Sequence, residues 1–206
     1  NLPEQFTLAP GGTYYFDLSA MGIPGTVNDA LPDKTMGYVP FTYAGTVDSY
    51  KLTSEMATTE EDAEQNQYPH SLFVADYAVT HTISWDDLNT ANLIFGKNYT
   101  AGGVSYTLRA PSVGSDSAGS GDSQHGTPQS NEWDRILDKN DGYIKNWNWM
   151  ASWGQDTRPD NSTPFRAVRG FHSARGWEFN SSSYQNGILG FRPVLEVLNP
   201  GTMGSD

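Results

Sequence analysis

Aromatic rings and short polar side chains are interleaved between residues 171 and 186, a mixture suited to binding chemistry. Rings provide rigid contact area at a low cost in conformational entropy, while hydroxyl and amide groups form adaptable hydrogen bonds. Antibody loops use the same combination. We therefore predict a recognition surface that includes Phe171, His172, Phe179, Asn180, Ser181 and Tyr184.

The tryptophans around this segment admit two interpretations. A tryptophan side chain buries a large apolar area, so we expect most of them to build the core. Alternatively, they frame the recognition surface that the residues between them form. The tryptophans concerned are Trp133, Trp147, Trp149, Trp153 and Trp177.

Residues that could support catalysis form no informative arrangement. The adjacent Asp86 and Asp87 suit the first turn of a helix, where the backbone amides favour negative charge. The sequence has no nucleophile-elbow motif for a Ser-His-Asp triad and no phosphate-binding glycine loop. The histidines lack metal-ligand spacing, and we expect surface or hydrogen-bonded core positions for them: His70, His81, His125 and His172. We predict a protein that is not an enzyme and has no catalytic residue.

Metal and redox sites are not predicted either. The sequence contains no cysteine, which excludes disulfides and thiolate ligands and leaves the redox compartment open. Residues 138–142 (DKNDG) superficially resemble a calcium loop, but their carboxylates do not alternate as required and no Glu completes the cage. We expect no metal site and no cofactor, and the sequence leaves a structural calcium ion elsewhere in the loops open.

The formal net charge of -12 argues against nucleic acid and anionic membranes as partners, because phosphate recognition needs a basic surface. The acidity is uneven: residues 1–134 carry 17 acidic and 4 basic side chains, and residues 135–206 carry 7 and 8. No run of 18 apolar residues occurs, so no membrane insertion is expected. Both chain ends resemble cuts from a longer polypeptide.

Composition predicts a loop-rich, β-leaning fold, with 21 Gly and 12 Pro among 206 residues. We expect a strand between the turns of residues 11–25, and two β-like runs in 36–55 with Pro40 at an edge or a break. A polar loop or short helix at 56–70 and a buried strand in 70–85 follow. Residues 189–198 are predicted to be one strand that enters the core.

Two short helices and one half-buried strand have clearer signals. Ser84 is expected to cap a helix, because Ser-x-x-Asp places a carboxylate near the first amides. A second helix at 130–139 is predicted to begin with Ser130 as its N-cap and to bury Trp133, Ile136 and Leu137 on one face. Between the helices we expect a strand that buries Val104, Tyr106 and Leu108, followed by a Gly/Ser-rich loop at 112–130.

Motifs in the second half of the chain resemble a known family. In order they are Arg169-Gly170, Ser173-Ala174-Arg175, Trp177 and the run GFRPVL at 190–195. The upstream blocks YTLRAPSVGS, GTPQSNEWDRIL and SWGQDT are also similar. Together they resemble the variable proteins of diversity-generating retroelements, over about residues 100–198. The resemblance implies an α+β, C-type lectin-like fold with short antiparallel strands.

The resemblance also implies a fixed scaffold that displays altered residues. In this family a reverse transcriptase introduces changes at adenines, so an AAC codon can yield Asn, Ser, Tyr, Asp, His, Gly or Phe, among others, but not Trp, Glu or Gln. Trp177 therefore belongs to the scaffold, and Gln185 departs from the pattern. The implied ligand-binding positions are Phe171, His172, Gly176, Phe179, Asn180, Ser181, Tyr184 and Asn186, together with Glu178, which also departs from it.

Arginines are expected to hold the scaffold, because a planar group with five donors can satisfy several acceptors from the loops. The candidates are Arg166, Arg169, Arg175 and Arg192, of which the last three join Trp177 in the predicted scaffold set. The residues expected to flank the ligand are Trp149, Trp153, Gln155 and Asp156. We expect one domain over 1–206, with an acidic part at about 1–100, the variable region within 101–198 and a tail at 199–206.

Two other activities known for the same fold are not expected for this chain. Formylglycine-generating enzymes share it, but the chemistry of their well-known members needs cysteine, which this chain lacks. Sugar-binding lectins of the fold use a Glu-Pro-Asn or Gln-Pro-Asp type of calcium motif, and neither occurs here.

The resulting expectation is a binding protein whose ligand is a protein or another macromolecule of unknown identity. We expect it on a cell surface or a virion, as part of a longer chain, and the sequence does not determine its oligomeric state. The alternative is a structural or adhesion module of a larger surface protein or phage tail fibre, in which the same surface packs against a neighbouring domain.

Overall fold

Short β-strands dominate the regular structure, and two short helices accompany them. The computed structural model describes residues 8–47, 69–157 and 165–198. The α+β class expected from the sequence is confirmed. In these ranges neither helix has the length and apolar character needed to cross a bilayer.

The strands of the first sheet come from all parts of the described sequence. Numbered in chain order, its strands are β1 (Thr13–Phe16), β3 (Val39–Val47), β4 (His70–Ala75), β6 (Lys97–Ala101), β7 (Val104–Arg109) and β14 (Val194–Leu198). They lie in the order β1-β3-β4-β14-β7-β6, and every neighbouring pair is antiparallel. The last strand therefore lies between strands from earlier parts of the sequence.

The second sheet carries the segment expected to bind. Its strands are β2 (Thr26–Val27), β5 (Thr80–His81), β10 (Ala151–Thr157), β11 (Phe165–Gly170), β12 (Trp177–Ser181) and β13 (Leu189–Phe191). Their order is β12-β11-β10-β13-β5-β2. The expectation of antiparallel strands fails at one pair, because β10 and β13 are parallel. A small hairpin of β8 (Asp116–Ala118) and β9 (His125–Thr127) lies apart from both sheets.

The two helices form where capping residues and an apolar stripe coincide. In α1 (Trp85–Thr90) the Ser84 side chain accepts a hydrogen bond from the Asp87 amide at 3.0 Å, which confirms the predicted cap. The second helix, α2 (Glu132–Lys139), begins one residue later than expected, because Asn131 rather than Ser130 accepts the first-turn hydrogen bond.

The core has two clusters of buried side chains. The larger one contains edge-to-face aromatic pairs, including Phe16 with Phe41 at 5.3 Å between centroids. The smaller one packs the apolar face of α2 against the sheets, and Trp133, Ile136 and Leu137 are all buried there as predicted. In β7 the alternation is also confirmed, since its predicted inward residues Val104, Tyr106 and Leu108 are buried.

Several predicted strands differ from those observed. Pro40 lies within β3, which has neighbours on both sides, and its carbonyl accepts from the Asp76 amide at 3.0 Å, so the strand continues through it. Segment 70–85 forms β4 and β5 instead of one strand.

The run at 189–198 is divided between the two sheets. Arg192 and Pro193 separate β13 from β14, because the chain turns where Pro193 lacks an amide hydrogen. The loop expected at 112–130 contains β8, β9 and a 3₁₀ turn at Gly121–Ser123. Two predicted segments, 36–55 and 56–70, extend beyond the described residues. The parts that lie outside are 48–55 of the first and 56–68 of the second.

Candidate ligand-binding surface

The register of β11 and β12 assigns the predicted binding residues to two opposite faces. Residues directly opposite each other in an antiparallel pair share a face, and successive residues alternate. Glu178 lies opposite Val168, so Glu178 and Asn180 are on one face of the sheet. Phe179 and Ser181 are on the other. The predicted set is therefore not one continuous surface.

A groove of about 160 Å³ lies on the face of Glu178 and Asn180. Its floor consists of three buried scaffold residues, Ala151, Val168 and Leu189. The groove is also lined by Phe171, Glu178, Asn180, Tyr184 and Ile188. The structure thus brings four of the predicted binding residues together, over apolar residues that belong to neighbouring strands.

Three aromatic rings cluster at one end of this groove. Trp149, the predicted flank, packs edge to face with Phe171 at 4.9 Å and with His172 at 5.6 Å between centroids. Phe171 and His172 lie 4.4 Å apart. Because Trp149 is 62% exposed, the cluster offers aromatic area to a ligand.

The backbone at Phe171 is held in an unusual conformation. Its φ of 93° lies in the left-handed region, which bulky residues rarely occupy. The Phe171 amide donates to the Trp147 carbonyl at 3.0 Å, and its own carbonyl accepts from the Trp149 amide at 3.0 Å. These two bonds hold the strained residue and its ring in place.

The loop that carries Tyr184 is fastened to the start of α1. The Ser182 hydroxyl donates to Asp86 at 3.1 Å, and the Gln185 amide group donates to Asp87 at 2.8 Å. Gln185 therefore makes a structural contact. Glutamine is a residue that an altered AAC codon cannot encode.

Tyr184 is itself positioned by a neighbour. The Asn186 side-chain amide donates to the Tyr184 hydroxyl at 2.8 Å, and the Asn186 oxygen accepts from the Ile188 amide at 3.0 Å. Asn186 thus orients the groove wall through Tyr184, although it does not line the groove.

Arg169 joins separate parts of the chain beneath this surface. Its guanidinium donates to Asp134 at 2.7 Å, to the Val113 carbonyl at 2.9 Å and to the Gly176 carbonyl at 3.0 Å. The Arg169 side chain is fully buried. One arginine therefore connects α2, the loop after β7 and the turn before β12.

Residues from several sequence blocks meet around Arg169. The Asp156 carboxylate accepts from the amides of Val113 and Gly114 at 3.1 and 2.9 Å. The Trp177 indole donates to the Gly114 carbonyl at 3.2 Å. These buried contacts join residues that are distant in the sequence.

The other two arginines of the predicted scaffold set make different contacts. Arg175 lies 3.1 Å from Asp138 and 3.4 Å from Asp141, near the surface. Arg192 is buried and donates to the carbonyls of Ala75 and Asp76, each at 2.7 Å. Burial lowers the pKa of Arg192 to about 10, while the charge of Asp76 opposes this shift.

Three of the four predicted flanks are core residues, which corrects that expectation. Trp153, Gln155 and Asp156 are at most 3% exposed, because both faces of β10 are covered. The Trp153 indole donates to the Ile83 carbonyl at 2.8 Å, and the Gln155 amide group donates to the Ile94 carbonyl at 3.1 Å. Only Trp149 is placed to reach a ligand.

The structure argues against a variable side chain at Gly176, which corrects that part of the prediction, although Gly176 lines a hollow together with Phe171 and His172. A Cβ atom there would lie 2.6 Å from the Gly170 carbonyl oxygen, so a side chain would force the backbone apart. Phe179 is partly exposed, but it faces away from the groove and packs against Phe165 at 4.8 Å between ring centroids. Ser181 shares that face and contacts the Ser183 hydroxyl at 3.2 Å.

Sequence reasoning missed two residues of this region. Ile188 is 42% exposed and lines the groove, and its position in the polar-to-apolar run NGIL was the only available signal. Gln124 lines a second hollow of about 280 Å³ that shares Phe171, His172 and Glu178 with this region. No local pattern marked Gln124, because it comes from the loop around β8 and β9.

A buried charged network lies away from the groove. Glu132 contacts His70 at 2.5 Å and Arg109 at 2.7 Å, and Arg109 also contacts Glu196 at 2.9 Å. Burial raises the pKa of the Glu132 carboxyl, but Arg109 and His70 lower it by more, so the pKa is far below its ordinary range. This network joins α2 to the first sheet.

Within the described ranges, no three His, Cys, Asp or Glu side chains are grouped so that they could hold a metal ion.

Comparison of the chain with known protein families, curated proteins and solved structures gives no match. The function is therefore inferred from the geometry of the surface and from the motifs beneath it.

Proposed function

We propose that this protein is a ligand-binding domain of the retroelement-diversified kind, with a C-type lectin-like scaffold. The groove and the ring cluster of Trp149, Phe171 and His172 contact a protein ligand, and no cofactor takes part. The domain acts on a cell surface or virion.

One observation carries the proposal: motif residues and intervening residues differ in burial along the same short segment. Arg169, Trp177 and Arg192 are at most 5% exposed, and each donates hydrogen bonds to carbonyl groups. Glu178 and Tyr184 lie between them in the sequence and are exposed. Such a division lets surface residues change while the buried contacts persist.

The architecture supports the scaffold part of the proposal. The described residues have an α+β fold with two short helices, and long connections lie between short strands. Buried side chains such as Arg169 and Asp156 hold these connections through hydrogen bonds to their backbone. A loop held from beneath keeps its shape when its outward side chains differ.

Two displayed libraries test the proposal. The first randomises His172, Glu178, Asn180 and Tyr184, each with an AAC codon varied at its adenines. The second is a control that treats the exposed residues Tyr15, Asp29, Lys34 and Tyr38 in the same way. Both are sorted first for folded protein and then for binding to a panel of unrelated proteins.

The proposal predicts that both libraries fold and that binders come mainly from the first. Equal binder frequencies in the two libraries would contradict a dedicated recognition surface. The flanking DNA gives an independent test of diversification, which requires a near-identical template repeat that differs at adenines beside a reverse transcriptase gene. Without such a repeat, the diversification part fails and the binding part is judged by the libraries.

A further inference from the structure

We propose that the groove accepts an arginine side chain from a basic protein partner, an inference that rests on the proposed binding function. The groove combines an apolar floor, aromatic walls and one carboxylate. An arginine side chain has the matching parts, which are an apolar stem and a planar cationic head.

The size of the groove favours a single side chain. Its volume of about 160 Å³ is smaller than the several hundred Å³ typical of sites for small organic ligands. The floor residues Ala151, Val168 and Leu189 are at most 8% exposed, and they present apolar surface to the occupant. The stem of an arginine can pack on this floor while its head stays near the rim.

Glu178 supplies the charge that selects a cation. It is the only charged residue that lines the groove, among the residues that the structure describes. No ion pair joins Glu178 to a Lys, Arg or His within that same part of the chain.

The arginine that the strand register places on this face is engaged elsewhere. Arg166 lies opposite Asn180 in the register, but its guanidinium stands 4.4 Å above the Trp85 ring. It also donates to the Phe165 carbonyl at 3.1 Å and to the Thr157 hydroxyl at 3.2 Å. The carboxylate of Glu178 therefore remains available to an incoming guanidinium.

The surroundings also favour a cation. Phe171 and Tyr184 place aromatic rings beside the groove, and a guanidinium stacks favourably on such rings. Asp86 and Asp87 lie under the adjacent loop, where Ser182 and Gln185 contact them. With a formal net charge of -12, the chain attracts a basic partner at long range.

A titration of the intact 206-residue chain, followed by the backbone amide signals in NMR spectra, tests the inference. The two ligands are N-acetyl-arginine methylamide and its citrulline counterpart, which keeps the shape but carries no charge. We expect the arginine compound to shift the amides of residues 178–188 and to bind about fivefold more tightly than citrulline. Added salt should reduce this preference.

Glu178→Gln is the matched variant, because it keeps the shape of the side chain and removes its charge. We expect it to abolish the arginine preference while citrulline affinity is unchanged. Equal affinities for both compounds in the native chain, binding of neither, or shifts centred on Tyr15 and Tyr38 would overturn the inference. None of these outcomes decides the proposed function, which the two libraries test separately.

Discussion

The guanidinium of Arg169 lies 2.7 Å from the carboxylate of Asp134, and neither side chain is exposed to solvent. The pair connects β11 to α2, and Arg169 also reaches the turn before β12 through the Gly176 carbonyl. The position of the turn before β12 therefore depends on a pair of side chains that is buried away from the surface.

Arg169→Ala is expected to lower the free energy of unfolding by about 3–5 kcal/mol, because the buried Asp134 carboxylate loses its cation at 2.7 Å and keeps only Arg175 at 3.9 Å. Chemical denaturation measures the change. The control is Lys34→Ala, since the Lys34–Asp29 pair is exposed and should cost less than about 1 kcal/mol. Similar losses in the two variants would contradict the role given to Arg169.

Gly176→Ala is expected to destabilise the fold by about 1–3 kcal/mol, because the new Cβ atom would overlap the Gly170 carbonyl oxygen. Gly187→Ala is the control, since its nearest neighbour would be the Thr82 hydroxyl at 3.8 Å. Melting temperatures of the two variants measure the difference in stability. If Gly176→Ala melts no lower than Gly187→Ala, position 176 is free to vary after all.

The strain at Phe171 is measured by comparing two replacements. Phe171→Ala and Phe171→Gly both remove the ring, but only glycine tolerates the φ of 93° without strain. We expect the glycine variant to be more stable than the alanine variant by about 1 kcal/mol in urea denaturation. The reverse order would show that the backbone at this residue is not strained.

Stability should depend on pH through His70. Burial lowers the pKa of His70, but the hydrogen bond to Glu132 and the charge of Glu132 outweigh it, so the pKa is raised in the folded protein. The stabilisation is therefore fully present below the pKa of the unfolded chain, about 6.5, and is lost as the pH rises through the folded value.

Urea denaturation between about pH 6 and pH 9 measures this loss. The free energy of unfolding should fall over this interval, and His70→Gln should flatten the fall while keeping a hydrogen-bond donor for Glu132. Arg109 and Glu196 also act on His70, in opposite directions, and neither changes its charge in this interval. An unchanged slope in the variant would assign the pH dependence to other groups.

Local signals made part of the fold predictable. The Ser84 cap and the buried stripe of α2 follow from side-chain chemistry and helical spacing within a few residues. The start of α2 did not follow, since Ser130 and Asn131 are both good caps. Asn131 is favoured by additional contacts of its amide group, which donates to the Pro128 carbonyl at 2.7 Å and to the Asp134 carboxylate at 2.6 Å.

The composition of residues 171–186 predicted a binding segment, but it could not predict that the residues of this segment are divided between two faces of the sheet. The face of each residue in β12 depends on pairing with β11, and a shift of one residue would reverse every side chain. Composition left Trp153 open between a core position and a flank of the ligand, and it did not indicate that Gln155 is buried. Polar and aromatic residues at such positions acquire their roles only from the strands packed around them.

The most direct test of the account compares a fourfold surface change with a single buried one. The surface variant carries serine at His172, Glu178, Asn180 and Tyr184, and the buried variant is Trp177→Ala. We expect the fourfold variant to lose less than about 2 kcal/mol of unfolding free energy, and Trp177→Ala to lose about 3–5 kcal/mol. A fourfold variant as unstable as Trp177→Ala would show that the surface and the scaffold are not separable.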